Sequence, residues 1–411
     1  MMIETKFKKT DIGEIPEDWD IKALGDIGEP KMCKRIMKSQ TKEFGDIPFY
    51  KIGTFGNIPN AFISKELFED YKNKFSFPRK GEILISAAGT IGRAIIYNGE
   101  DSYYQDSNIV WIDNNESFVL NSFLFNIYKI VEWDTNTGTI SRLYNDNLKR
   151  TLIQFPPIAE QQRIATVLSD IDALLSILSK KIEKKKLIKQ GVMQRLLTGK
   201  KRLAGFTRPW VKKNITEICT IKARIGWQGL KTDEYLDYGN FVLITGTDFE
   251  NGGINWSNCS FVSKERFEQD ENIKIKQGDV LITKDGSIGK VAYLDFIPME
   301  GTLNSGVFVV RPKDISNLNN NYLALFFKSK FFEDFIAQLK AGSTIAHLYQ
   351  KDFIRLQLNY PKDLSEQAAI VTIFSDMDRE IEALEAKRVK YEQVKQGMMQ
   401  QLLTGKIRLI D

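Results

Sequence analysis

Two stretches of the chain carry apolar residues at helical spacing over an unusual length. In the first, Ile164, Val167, Leu168, Ile171, Leu174, Leu175, Leu178 and Ile182 recur at steps of three and four, which puts them on one seam of a single helix. In the second, Ile370, Phe374, Met377, Ile381, Leu384, Tyr391, Val394, Met398 and Leu402 do the same. Elsewhere the texture changes. Short runs rich in branched side chains, such as Ile47–Gly53 and Gly81–Ser86, alternate with glycine-punctuated turns and read as strands. Asn121–Val131 reads as a short helix with Phe123, Leu124 and Ile127 on one face. Strands and short helices without regular alternation predict an α+β class. A helix of about 40 residues is a rod of roughly 60 Å. Such a rod cannot hide its seam against one small domain, so the two long helices are expected to pair with each other.

The reason they match is duplication. Lys189-Gln-Gly-Val-Met-Gln-Arg-Leu-Leu-Thr-Gly-Lys200 returns as Lys395-Gln-Gly-Met-Met-Gln-Gln-Leu-Leu-Thr-Gly-Lys406, ten of twelve positions identical at an offset of 206. At the same offset Glu160-Gln161 becomes Glu366-Gln367, and Ser169-Asp-Ile-Asp172 becomes Ser375-Asp-Met-Asp378. Upstream, Ile15-Pro-Glu-Asp-Trp19 is echoed by Phe206-Thr-Arg-Pro-Trp210, Phe62–Glu69 by Phe261–Glu268, and Gly81–Arg93 by Gly278–Lys290. Such long-period similarity means one architectural unit used twice. The expected organisation is a first domain over 1–156, a long helix over 157–200, a second domain over 201–362 and a second long helix over 363–411. Landmarks are shared while the surface between them differs, as two readers of different targets on one scaffold would require.

Composition narrows the chemistry. The 411 residues carry a net charge of +5 and a single histidine, His347. Histidine triads and histidine metal clusters are thereby excluded by count. Cys33, Cys219 and Cys259 lie far apart without ligand spacing, which speaks for a reducing compartment and against zinc. The opening nonapeptide has no apolar leader core, and no run approaches the ~18 apolar residues of a span; a cytoplasmic protein is expected. Gly286-Ser-Ile-Gly-Lys290 fails as a phosphate loop, because the Walker spacing is wrong and Val291 follows. Asp170/Asp172 and Asp376/Asp378 sit two apart on a helix and face different ways, so helix-surface charge is expected of them. No glycine-rich nucleotide cradle follows a strand. No catalytic residue and no metal site are expected. From Ser179 to Arg202 ten basic residues face one acidic, either a solvated helix face or a contact for DNA or an acidic partner.

Taken together and in this order, the paired openings, the paired Gly81–Gly92 and Gly278–Gly289 turns and the helices that begin Pro156-Pro-Ile-Ala-Glu-Gln-Gln-Arg163 and Pro361-Lys-Asp-Leu-Ser-Glu-Gln367 make the chain resemble the specificity subunits of type I restriction–modification systems over essentially its whole length. Lys362 stands where that family usually has a second proline. The resemblance implies a non-catalytic subunit with two pseudo-twofold-related target recognition domains, joined by two helices in an antiparallel coiled coil. It implies that each domain reads half of a bipartite double-stranded DNA site. Two methyltransferase subunits would dock on the helices and restriction (motor–nuclease) subunits would join the larger complex. S-adenosylmethionine, ATP and magnesium would belong to those partners, with no cofactor in this chain. Bases are read by polar side chains on loops, while lysine and arginine on phosphates hold register. The candidates are Lys34, Arg35, Lys38, Thr54, Arg93, Thr139 and Arg142 in the first domain, and Lys222, Arg224, Gln228, Thr247, Lys284, Ser287, Lys290, Thr344 and His347 in the second. For partner docking the candidates are Glu160, Gln161, Glu366 and Gln367, expected as exposed helix charges, with helix N-terminal electrostatics as the plainer alternative. A self-sufficient enzyme and a protein-binding scaffold are the competing readings; cofactor binding by the isolated chain and the absence of any induced methylation would mark them.

Overall fold

A computed structural model of the chain describes residues 5–134, 142–226, 229–341 and 347–410. Both apolar seams are single helices, Ile158–Leu196 and Leu364–Leu402. The chain divides into two compact units: residues 1–178 with 387–411, and residues 179–386. Each unit therefore takes one half of each long helix.

In the first unit the central element is a four-stranded antiparallel sheet in the order Gly28–Met32, Ile109–Asn114, Ile83–Ser86, Ala94–Ile96. Its side chains alternate between two cores, as a strand period of two requires. Ile83, Ile85, Val110 and Ile112 face one core with Trp19, Phe123, Ile164 and Leu168. Leu84, Ile109 and Trp111 face the other, which is aromatic: Phe49, Phe55, Phe68, Tyr103 and Tyr104. Burial on both faces explains why Ile83–Ser86 reads as an unbroken apolar run. A smaller sheet pairs Ile47–Tyr50 antiparallel with Phe62–Ile63 and parallel with Tyr103–Tyr104. Leu152–Phe155 returns to pair with Asp20–Ala23 and hands the chain to the first long helix. A hairpin, Phe7–Thr10 with Gly13–Pro16, precedes all of this.

The second unit repeats the plan with its own residues. Cys219–Lys222, Val307–Pro312, Val280–Thr283 and Val291–Tyr293 form the four-stranded sheet. Phe241–Ile244 pairs antiparallel with Ser260–Val262 and parallel with Gly301–Leu303, and Trp210–Asn214 pairs with Gln357–Pro361. A twelve-residue helix, Lys330–Ala341, follows the short helix Asn320–Phe327.

Within each unit the two helix halves run antiparallel. In the first, Lys395 pairs with Asp172 and Arg408 with Glu160. In the second, Lys189 pairs with Asp378, Lys186 with Glu385 and Arg202 with Glu366. Of the expected seams, Ile164, Leu168, Ile171, Leu178, Ile182, Ile370, Phe374, Ile381 and Leu402 are buried. Val394 is an exception at 42% exposure, because the inward row passes through Lys395 instead. The Leu-Leu-Thr-Gly-Lys signature has a direct physical meaning. Gly199 and Gly405 close the helices at φ 69° and 70°, a left-handed conformation that favours glycine. A Cβ on Gly199 would sit 3.2 Å from the Trp210 ring, and one on Gly405 would sit 2.4 Å from Pro16. Each terminating glycine thus seats the aromatic opening of its own unit.

Candidate nucleic-acid interface

The duplicated glycine turns join the last two strands of each four-stranded sheet, and one hydroxyl holds each of them. Ser86 Oγ donates to Thr90 O at 2.5 Å and accepts from Arg93 N at 2.9 Å. Thr283 Oγ1 donates to Ser287 O at 2.5 Å and accepts from Lys290 N at 3.0 Å. Each turn is then tied to the segment that precedes the closing strand of its unit: Leu143 N donates to Ala87 O at 2.9 Å, and Leu348 N to Lys284 O at 2.8 Å. Arg93 and Lys290 are displayed at one equivalent place, Arg142 and His347 at another.

In the first unit the geometry gathers most of the candidates around two loops. Arg35 Nε donates to Asp106 Oδ2 at 3.0 Å, and Arg142 Nη2 donates to Ser107 O at 2.7 Å. The Asp106–Ser107 turn, with Ser107 at φ 55°, draws these two cations together. Lys34 stands beside Arg35 with its ammonium 5.1 Å from the Phe75 ring, and Lys38 is exposed in the following turn. Arg93 Nη1 donates to Phe55 O at 2.9 Å, which brings it to the loop of Thr54. Between them lies a groove of about 290 Å³ lined by Asn57, Ser86, Thr90 and Arg93. Arg93 is the charged residue of that lining, so the groove is positive. Thr139 lies outside the described residues.

In the second unit Lys284, Ser287 and Lys290 sit on the glycine turn, the last two exposed. His347 pairs through Nδ1 with Asp285, and its ring lies 4.5 Å from that of Tyr349. Lys222 is exposed at the end of its strand, and Thr247 is exposed with its hydroxyl 2.7 Å from that of Thr245. Arg224 corrects the sequence reading. It is 2% exposed, and its guanidinium donates to Leu303 O at 2.9 Å, Gln269 Oε1 at 3.1 Å and Thr302 Oγ1 at 3.2 Å. It braces the smaller sheet and cannot reach a ligand; burial pushes its pKa down. Gln228 and Thr344 lie outside the described residues.

The four helix positions expected as exposed docking charges are buried instead, at 0–2% exposure. Gln161 accepts from Leu120 N and donates to Phe118 O and Pro156 O, each at 2.8 Å. Gln367 accepts from Asn319 N at 2.8 Å and donates to Asn317 O and Pro361 O at 2.9 and 2.8 Å. Glu160 receives Arg408 at 2.8–3.2 Å and Leu409 N at 3.0 Å, while Glu366 receives Arg202 at 2.6–3.0 Å and Trp210 Nε1 at 3.2 Å. A buried carboxylate needs such partners, so these residues fasten the domain to the helix pair. Sequence reasoning missed Arg202 and Arg408, although their 206-residue offset was there to be read. Likewise Lys185, Lys186, Lys189 and Arg202 of the basic run spend their charge on acids of the second helix. Asp172 and Asp378, expected as helix-surface charge, are the acids of cross-helix pairs.

Beside those pairs lies a lysine in each unit. Desolvation of the amine, then the positive Lys395, hold Lys129 down at about 8, and desolvation lowers Lys328. Burial pushes the thiols of Cys33, Cys219 and Cys259 up to about 12, which removes them as nucleophiles at neutral pH. Among the described residues no group of three or more His, Cys, Asp and Glu could hold a metal ion, and no helix is long and apolar enough to cross a membrane.

Comparison with known proteins places this geometry in context. The family described as the type I restriction modification DNA specificity domain matches twice, at residues 16–187 and 207–393. A protein of Haemophilus influenzae carrying the name of a type I restriction enzyme specificity subunit is 60% identical over 152 residues, which are 37% of this chain and 40% of that one. The type I restriction enzyme MjaVIII specificity subunit of Methanocaldococcus jannaschii is 23% identical over 99% of this chain and 97% of its own length. The crystal structure of the S subunit of a type I restriction–modification system from M. genitalium shares the fold, with a TM-score of 0.57 at 17% identity over 97% of this chain and 99% of that one.

Proposed function

The chain belongs to the family of type I restriction–modification DNA specificity domains, and from that premise we propose how its two units divide the work. It is a specificity subunit, whose task is recognition and not catalysis. Each unit reads one half of a split, asymmetric site in double-stranded DNA. The observation that carries this reading is the pair of glycine turns. Equivalent hydroxyls, of Ser86 and Thr283, hold them, yet at matching positions one carries Ala87, Thr90 and Arg93 and the other Lys284, Ser287 and Lys290. A framework held constant while its presented side chains change is what two different half-sites need. Arg93, Lys34, Arg35, Lys38, Thr54 and Arg142 are the proposed contacts of the first unit. Lys222, Thr247, Lys284, Ser287, Lys290 and His347 are those of the second.

Two methyltransferase subunits join the helix pair and restriction subunits join the complete complex. S-adenosylmethionine, ATP and magnesium act on those partners. Docking uses other, exposed residues, since Glu160, Gln161, Glu366 and Gln367 are committed internally. The test is a genome-wide map of methyladenine in cells that express this chain with its neighbouring methyltransferase subunit. One bipartite motif that disappears with deletion of this chain is the expected result. Soluble, associated proteins that add no methylation would sink the reading.

A further inference from the structure

Most positions that the two units share are buried. One shared feature is the reverse. Phe44 is 82% exposed and Tyr238 is 85% exposed, and they occupy the same place in the two units. Each follows a short 3-10 turn (Lys38–Gln40 and Thr232–Glu234) and precedes the strand that centres the smaller sheet.

The backbone that presents these rings is fixed in the same way both times. Lys42 and Phe62 exchange backbone hydrogen bonds at 2.9 and 2.8 Å, and so do Leu236 and Phe261. The next residue is glycine in both turns, Gly45 and Gly239. A Cβ there would come within 2.9 Å of the Phe62 Cβ and 3.0 Å of the Phe261 Cβ. The close approach of strand and turn therefore excludes a side chain after the ring. Around the aromatic–glycine pair the sequences part: Lys42-Glu-Phe-Gly-Asp46 against Leu236-Asp-Tyr-Gly-Asn240.

A side chain that reads bases should differ between two readers of different half-sites, as the glycine turns do. One that is kept should serve something common to both units. Two common ligands exist, the phosphate backbone and a protein present in two copies. Charge decides between them. Glu43 and Asp46 outweigh Lys42 in the first turn, and Asp237 is the charged residue of the second. A phosphate would meet net repulsion at both. A protein surface with an apolar socket edged by lysine or arginine would meet attraction, and burying an aromatic ring is how such contacts gain most of their strength.

We propose that Phe44 and Tyr238 are paired docking knobs, each inserted into the same basic-rimmed apolar socket on one of two copies of the methyltransferase subunit. This rests on the partner reading given above. The experiment takes the full-length chain and the methyltransferase subunit encoded with it, and follows assembly by native mass spectrometry and calorimetry. Phe44→Ala should weaken one of the two association steps about tenfold, Tyr238→Ala the other, and the double variant both. DNA affinity of complexes formed at saturating methyltransferase should not change. Thermal melts, with Phe44→Gln and Tyr238→Gln as second variants, separate lost docking from lost folding. Unchanged association in a folded double variant overturns the proposal. So does a loss of DNA affinity with association intact, which would make the knobs DNA contacts. If the unsubstituted chain takes up no methyltransferase subunit, the partner reading itself fails, and this shows before any substitution is made.

Discussion

The two units are one plan executed with two sets of surface residues, and the contrast separates scaffold from reader. Gln161 and Gln367 make the same three hydrogen bonds, Gly199 and Gly405 the same left-handed ending, Arg408 and Arg202 the same carboxylate pairing. What differs lies on the loops: a hairpin ahead of the first unit, and Arg142 in one where His347 stands in the other. Duplicated residues such as these are mostly buried and committed to each other. The exposed side chains of the glycine turns, Arg93, Ser287 and Lys290, are where the two units present different residues.

The strongest way to break the comparison is to change the helices on which both units are built. Four residues inserted after Leu178 and four after Ala386, where the units divide, add about 6 Å to each helix. The preferred spacer should lengthen by a base pair or two, and the original motif should no longer be methylated. An unchanged spacer in the methylation map would show that helix length does not set the distance between the half-sites. Insertion nearer Leu197–Lys200 is a poorer test, since Leu197 is buried and Gly199 seats Trp210.

Next in size are the fastening arginines. Arg408→Ala leaves Glu160, 2% exposed, without its cation, and removing one member of a buried pair costs about 3 kcal/mol or more. Denaturant unfolding should show the first unit destabilised. Arg202→Ala should cost less, because Arg202 is the more exposed arginine and Arg408 also holds Asp18. Equal losses would undo the distinction.

Smaller again are the readers. Arg93→Ala should relax recognition in one half-site by roughly tenfold and leave the other untouched, and Lys290→Ala should do the converse. Binding to a panel of single-base variants checks this. An equal loss at every base would mark either residue as a phosphate contact.

The smallest effect is on pH dependence. Lys129 is held down at about 8 in the folded unit, below the ordinary lysine value. Between pH 8 and the unfolded value near 10.4 the unfolded chain binds more protons, so stability rises with pH across that window. Lys129→Met should flatten the rise. Part of the side chain stays in water, so the change should stay below about 1 kcal/mol. A rise that persists unchanged in the variant assigns it to another group.

The sequence made the architecture legible because periodicity and repetition are local properties. A seam at three- and four-residue steps announces a helix, and a constant offset of 206 announces a copy. Partnership is not local. That Glu160 meets a residue 248 positions away follows from the fold, and sequence alone therefore predicts an exposed acid at a helix start. Arg224 was misplaced for the same reason. Its sequence neighbours Lys222 and Ile225 are exposed, while its own guanidinium turns inward to carbonyls at 303 and 266. Val394 shows the limit within a helix, where a three-residue step and a four-residue step both fit the pattern and only packing chooses.

One property of the first unit bears on how the protein is made. Its core includes Leu402 and Leu403 together with Ile15 and Trp19, so its two pieces leave the ribosome separated by the whole second unit. The second unit is one continuous segment, residues 179–386, and can close while the chain is still being extended. At about 5 to 20 residues per second, the amino-terminal piece waits on the order of ten seconds or more for its last helix turn. Of the two units, the one whose synthesis begins first is thus the one that finishes folding last.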